Sequence, residues 1–293
     1  MTTSADWTEA GDRCWVRRYD EWDVNVGVVA GSDALLVIDT RGTLRQGAEL
    51  LDEVRRLSPA PVRFVVNTHL HFDHTFGNKA FADAGSVIHA HENAVAGMLE
   101  RGEWIKQLCR EHGELDGVAD EQVLRDIAGT PLVPATETFA VARVIDLGDR
   151  QVELLHVGNG HTDGDVVAVV GDAGVVYAGD LVEESAHPSY GNDCFPLEWP
   201  DTADRLAGLL DEDSRVVPGH GVVVDRAFVE DQKADLGTVA NTISGLHHSG
   251  VPLEDALRYD EDWPYPVAHL ADAIRRGYAQ LGGVRKTLPL LGT

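Results

Sequence analysis

Apolar positions along the chain fall into short runs that alternate with spaced sets. Residues 13–19 and 24–30 read as strands separated by a short polar step. Residues 34–39 form a continuous apolar run closed by an acid, the pattern of a strand buried on both faces. Leu44, Ala48, Leu51, Val54 and Leu57 then recur at helical spacing, and Pro59 and Pro61 stop that helix. Residues 62–66 are a second buried strand that feeds directly into His69. Residues 91–129 look helical and heavily charged, which predicts an insertion over one face, closed by Pro131 and Pro134. Further strands are expected at 141–147, 151–157, 165–170 and 175–178, the last after an Asp172-Ala173-Gly174 turn. A helix at 199–210, a short strand at 215–217, a long helix at 226–247 and a mostly helical stretch at 253–282 complete the pattern. The alternation predicts α/β layering in one domain over 1–293, with a helical insertion at about 91–130 and a helical C-terminal part at about 226–293.

Composition narrows the partners more than the fold. The 293 residues are 43% hydrophobic, enough for a sizeable core, but 24 Lys and Arg against 49 Asp and Glu leave a net charge of −25. A field of that sign repels phosphate backbones and anionic lipid surfaces, so neither nucleic acid nor membrane is expected as a partner. A small molecule is the expected partner; oligomeric state is left open. The chain has no 18-residue apolar run, and its polar, acidic start lacks the pattern of a secretory signal. Cys14, Cys109 and Cys194 lie far apart and form no CxxC pair, which predicts three unrelated buried thiols and a reducing, cytoplasmic setting.

The chemistry is concentrated in Asn67-Thr68-His69-Leu70-His71-Phe72-Asp73-His74, which packs three imidazoles and a carboxylate into six positions. An extended backbone aims His69 and His71 to the same side, and Asp73 continues that alternation. His74 points elsewhere unless the chain turns or enters a helix there. Two adjacent sites are expected, His69 with His71 and Asp73 with His74. Such a polar set behind a buried strand is costly without a ligand. More donors follow: His161 in Gly158-Asn159-Gly160-His161, Asp180 directly after an apolar run, and His220 in Pro218-Gly219-His220-Gly221.

In this order the residues resemble the pattern of the metallo-β-lactamase superfamily: a strand-end Asp39, then HxHxDH at 69–74, then His161, Asp180 and His220. The resemblance implies an αββα sandwich with the site along one edge. It also implies that His69, His71 and His161 hold a first metal, that Asp73, His74 and His220 hold a second, and that Asp180 bridges them. Asp39 would buttress the ligand loop rather than bind metal. Asp at 180, rather than Cys or Ser, moves the resemblance toward glyoxalase II-like and lactonase-like hydrolases. His at 71, rather than Glu, disfavours the diiron electron-transfer relatives. Arg285-Lys286 is a weak echo of the glutathione-recognising signature of glyoxalase II.

Imidazoles and carboxylates suit Zn²⁺, two per chain, while Fe or Mn could be accommodated. Zinc lowers the pKa of its water from about 15.7 to about 7, so no Ser or Cys nucleophile is needed, and no GxSxG elbow is present. The expected activity is hydrolysis of a small ester-like bond, in a thioester, lactone or β-lactam, with Asp73 orienting the nucleophile or carrying its proton. The alternative is a mononuclear iron persulfide dioxygenase on the same fold. In the loop after Asp180, an ordinary loop with buried aromatics is the expected reading, with Tyr190 and Asn192 as candidate donors to an oxyanion. Trp104 is a candidate lid residue beside its reading as an ordinary aromatic of the insertion, and His89 and His91 form a weaker pair by spacing.

Overall fold

The computed structural model describes residues 7–113, 115 and 118–282. Strands β1 (Thr8–Gly11), β2 (Cys14–Arg18), β3 (Asn25–Ala30), β4 (Leu35–Ile38), β5 (Val62–Val66), β6 (Val87–His91) and β7 (Glu137–Phe139) form one sheet in that order. It is antiparallel from β1 to β4 and parallel from β4 to β7. The second sheet has the order β12-β11-β10-β9-β8, from β8 (Ala142–Asp146), β9 (Gln151–Leu155), β10 (Val167–Val170), β11 (Val175–Glu183) and β12 (Arg215–His220). Only its β11–β12 pair is parallel.

The sheets pack face to face. Leu36 and Ile38 of β4 and Val66 of β5 join Leu154, Ala168, Val175 and Tyr177 in the core between them. Tyr177 lies against Gly27 of β3, where a Cβ would overlap its ring. Leu35, Val37 and Val65 point the other way, into a second core with Leu50, Leu51 and Val54 of helix α1 (Leu44–Leu57). On the far side, Val167 and Val176 meet Leu206 of α6 (Trp199–Ala207), Leu236 and Ile243 of α7 (Arg226–His248) and Ile274 of α9 (Ala271–Gly282). The order is helix, sheet, sheet, helix: the αββα sandwich, with helices at its C-terminal end. Covering the first sheet on both faces is why 34–38 reads as an unbroken apolar run rather than an alternating one, and why 62–66 is apolar but for the exposed Arg63 at its open end.

The helical insertion is broken rather than continuous. Helix α4 (Glu92–His112) ends at Gly113 in the left-handed region, and α5 (Glu121–Gly129) begins where Asp120 caps the backbone amides of Gln122 and Val123. The stretch at 253–282 is likewise split, into α8 (Leu253–Ala256), a 3₁₀ turn and α9. The apolar pattern missed β1, β6 and β7; the last is three residues long and carries two exposed positions. It also stopped β11 and β12 short, so Asp180 lies inside a strand and His220 ends one. All three cysteines are free and buried. Among the described residues no helix is long and apolar enough to cross a membrane. Arg285 and Lys286 lie outside the described residues.

Candidate metal centre

Strand β5 ends at Val66, and the chain bends through 68–70 before the one-turn helix α2 (Phe72–Thr75). His71 is still extended, at φ −67 and ψ 153, and stands at the start of α2. Asp73 sits in that turn rather than continuing the alternation, and the turn is what swings His74 inward beside it. The structure brings the sequence-read donors into two groups, His69, His71, His161 and Asp180, and Asp73, His74 and His220, with ligand atoms in each within 4.8 Å of one another. Asp180 touches both. Its Oδ2 is 3.6 Å from His69 Nε2, 3.4 Å from His161 Nε2 and 3.2 Å from His220 Nε2, and its Oδ1 is 3.2 Å from His74 Nε2. Gly219 makes that approach possible, since a Cβ there would overlap Asp180 Oδ1.

Each imidazole has one nitrogen inward and the other braced. Asp39, held at φ 64 behind the site, pairs its Oδ2 with His74 Nδ1 at 2.8 Å. The Thr68 hydroxyl donates to the same oxygen at 2.7 Å and lies 3.0 Å from His69 Nδ1. His161 Nδ1 faces the Ser189 carbonyl at 2.9 Å, and His220 Nδ1 faces the Trp22 carbonyl at 2.8 Å. His71 is turned the other way, with Nε2 3.0 Å from Asp193 Oδ2 and Nδ1 2.8 Å from His161 Nε2. Inward-facing acceptors with nothing to bond are costly when buried. His69 Nε2 and Asp180 Oδ1 are buried without a hydrogen-bond partner. Converging nitrogens and carboxylates of this kind fit a pair of divalent cations.

Protons are distributed unevenly across the site. Burial pushes His69 well below the ordinary imidazole range against the pull of Asp180, and burial with the nearby His71 takes His161 down to about 4. Burial acts the same way on His74 and His220, but the facing carboxylates outweigh it. Asp180, Asp73 and Asp39 raise His74 well above its usual value, and Asp180 pushes His220 up to about 10. Burial works to raise Asp180 too, yet the imidazoles, His74 first, hold it well below the carboxylate range.

The ligand groups open into a cavity of about 350 Å³ walled by Trp22, Phe72, Ile105, Arg101 and Glu183. Arg101 is the only Lys or Arg among its described lining residues. Burial and the charge of Asp180 push the Glu183 carboxyl up to about 7. Trp104, 46% exposed, lines an adjoining open groove with Arg101 and Asn192 rather than covering the site. Tyr190 does not face the cavity. It is buried in the core 5.1 Å from the Trp199 ring, and its hydroxyl has no partner. Asn192 spends its carbonyl oxygen on Arg101. His89 and His91 belong to neither group: His91 caps α4 through the Asn93 amide and faces the Ala140 carbonyl, and His89 is buried with both nitrogens unpartnered. Sequence reading missed Asp193, Glu183 and Asp165. Asp165 accepts from the Thr162 amide and hydroxyl and so shapes the loop that presents His161. The Gly160-His161-Thr162-x-x-Asp165 spacing was the available signal for it.

Relatives bear on the same residues. A curated metallo-beta-lactamase type 2 from Bacillus cereus is 24% identical over 204 residues, covering 69% of this chain and 68% of that protein. A linear primary-alkylsulfatase from Pseudomonas is 25% identical over 218 residues, 66% of this chain but 40% of that longer protein. Among solved structures, a metallo-beta-lactamase from Pontibacter korlensis matches with a TM-score of 0.62 at 21% identity, over 79% of this chain and 98% of that one. The metallo-beta-lactamase FIM-1 from Pseudomonas aeruginosa, in its mono-zinc form, matches at 0.62 and 19%, over 80% of this chain and 95% of that one. These structural likenesses carry the fold alone. The family model described as the metallo-beta-lactamase superfamily spans residues 19–220, from just after β2 to His220, so with two His and Asp groups converging at its edge the chain belongs to that superfamily.

Proposed function

We propose that the protein is a hydrolase that holds two zinc ions and cleaves the acyl bond, next to the carbonyl, of a small ester-like substrate. The observation that supports it best is the arrangement of seven donors as two adjoining groups that share Asp180. One ion would leave Asp73, His74 and His220 gathered without purpose, which favours the dinuclear hydrolase over a mononuclear iron dioxygenase. In this reading His69, His71 and His161 hold the first ion, Asp73, His74 and His220 the second, and Asp180 lies between. Zinc held there supplies Lewis acidity, polarising a carbonyl oxygen and making a water acidic near neutral pH.

The chain's own residues do the rest. Asp73 orients the attacking water and takes up its proton. Trp22, Phe72 and Ile105 exclude bulk solvent from one wall of the cavity. Arg101 offers a cation to an anionic substrate group against the negative field of the whole chain. A β-lactam is the first substrate to try, because the curated relatives that cover two-thirds of their own length are metallo-beta-lactamases; thioesters and lactones follow. Metal analysis combined with a panel of cephalosporins, thioesters and lactones tests the reading. Near two zinc per chain with turnover of one class is expected. A single oxygen-reactive iron and no hydrolysis would overturn it.

A further inference from the structure

We propose that Asp193 is a positioning residue that fixes His71 as a metal ligand, and that Arg101 reaches from helix α4 to hold Asp193 in place. The inference rests on the hydrolase reading only in taking His69, His71 and His161 as a metal group. Four of the five inward imidazoles are oriented by main-chain carbonyls or by Asp39, directly or through Thr68. Within the first group His71 alone depends on a side chain from a distant loop, the one between β11 and α6. Its Nδ1 faces the group, so its proton must sit on Nε2, and Asp193 Oδ2, 3.0 Å away, is the acceptor that keeps it there. An Nδ1–H tautomer would aim a proton at the metal and at His161 Nε2, 2.8 Å off.

Asp193 is suited to the task. Its Oδ2 lies within reach of both the His71 ring nitrogen and the Arg101 guanidinium, and the residue is half-buried at the rim of the cavity. Arg101 Nη1 lies 3.2 Å from the same Oδ2 and donates to Asn192 Oδ1 at 2.7 Å, so one guanidinium nitrogen grips two successive residues of the loop. Its carbon stands 5.5 Å from the Trp104 ring centroid, which supports it from the outer side. The helical insertion contributes no ligand, yet through this brace it sets the affinity of the first group.

The test uses the full chain with Asp73→Ala, which leaves only the first group complete, and measures zinc affinity by chelator competition. Adding Asp193→Ala is expected to weaken zinc about 10- to 100-fold, the range found for partners behind metal-bound histidines. Asp193→Asn, which still accepts a hydrogen bond, should recover part of that loss. Arg101→Gln should cost less, about three- to tenfold. An affinity for Asp193→Ala within twofold of its parent overturns the proposal, and so does a lowered melting temperature of the metal-free protein with zinc affinity unchanged. Equal losses for Ala and Asn overturn the acceptor role. An unchanged Arg101→Gln overturns the part played by α4, and that variant, on a partly exposed helix face, carries the test if Asp193→Ala does not fold. Zinc uptake that follows these expectations without turnover of any substrate sinks the hydrolase reading alone. A parent chain that takes no zinc sinks both.

Discussion

The two ligand groups use the same side-chain types but hold their protons differently. The first gathers three imidazoles around one shared carboxylate, and burial leaves His69 and His161 neutral, ready to ligate. In the second, Asp73, Asp180 and Asp39 all bear on His74, and Asp180 and Asp73 bear on His220, so both imidazoles keep a proton that a cation must displace. The lesson is that the count of carboxylates within reach, rather than burial, sets the protonation of a buried histidine when both act. The groups also differ in support. The second is braced by Asp39 and the Trp22 carbonyl deep in the fold, and the first leans partly on Asp193 and Arg101 at the rim.

The hardest blow to this comparison is Asp180→Ala, which removes the residue common to both groups. Both metals should be lost, and kcat/KM should fall beyond the roughly 100-fold that a lost partner behind the ligands costs. Retention of either metal would mean that the groups are independent. His71→Ala should cost the first metal and with it the hydrolysis, read by metal analysis and turnover together.

Asp39→Asn should do less, about 10- to 100-fold in metal affinity, because Asp39 acts through His74 and through Thr68 on His69 without binding metal itself. Chelator competition should show both groups weakened, and a loss confined to one would sharpen the division between them.

The proton asymmetry predicts a pH dependence. His220 has its pKa raised from 6.5 to about 10, so it stabilises the metal-free protein fully below about pH 6.5, and that contribution fades as the pH rises toward about 10. The melting temperature of the metal-free chain should fall across that window, while zinc affinity rises because the displaced protons cost less. Calorimetry at pH 7.5 in buffers of different ionisation enthalpy should record proton release on zinc binding; none would erase the contrast between the groups.

The smallest effect on the site comes from His89, buried outside both groups, where burial and the charge of Arg143 outweigh the pull of Glu137. Burial takes its pKa down to about 4, so the unfolded chain binds the extra proton and stability is lost as the pH falls from 6.5 toward 4. His89→Phe should remove about 2 kcal/mol of acid sensitivity at pH 5, read by denaturant titration, and leave zinc content unchanged.

Much of this was legible in the chain. The apolar run at 34–38 and the largely apolar one at 62–66 announce buried strands, and close offsets within 69–74 announce a ligand cluster, because both signals are local: a pleat repeats every two residues and a turn every few. The ordered His161, Asp180 and His220 could be picked out by their glycine neighbours, although of the three only His220 ends a strand. What the sequence could not determine was which nitrogen of each imidazole faces inward, or what holds it there. Asp193 is 122 positions from His71 and the Trp22 carbonyl 198 from His220, and no periodicity links such pairs. Tyr190 packs on Trp199 as an ordinary buried loop aromatic rather than serving as an oxyanion donor, since a residue in a loop is placed by what surrounds it. The chain alone determined the donors and their order. Only the tertiary structure decided their partners and their protons, because hydrogen bonds and fields act through space between residues that the backbone keeps far apart.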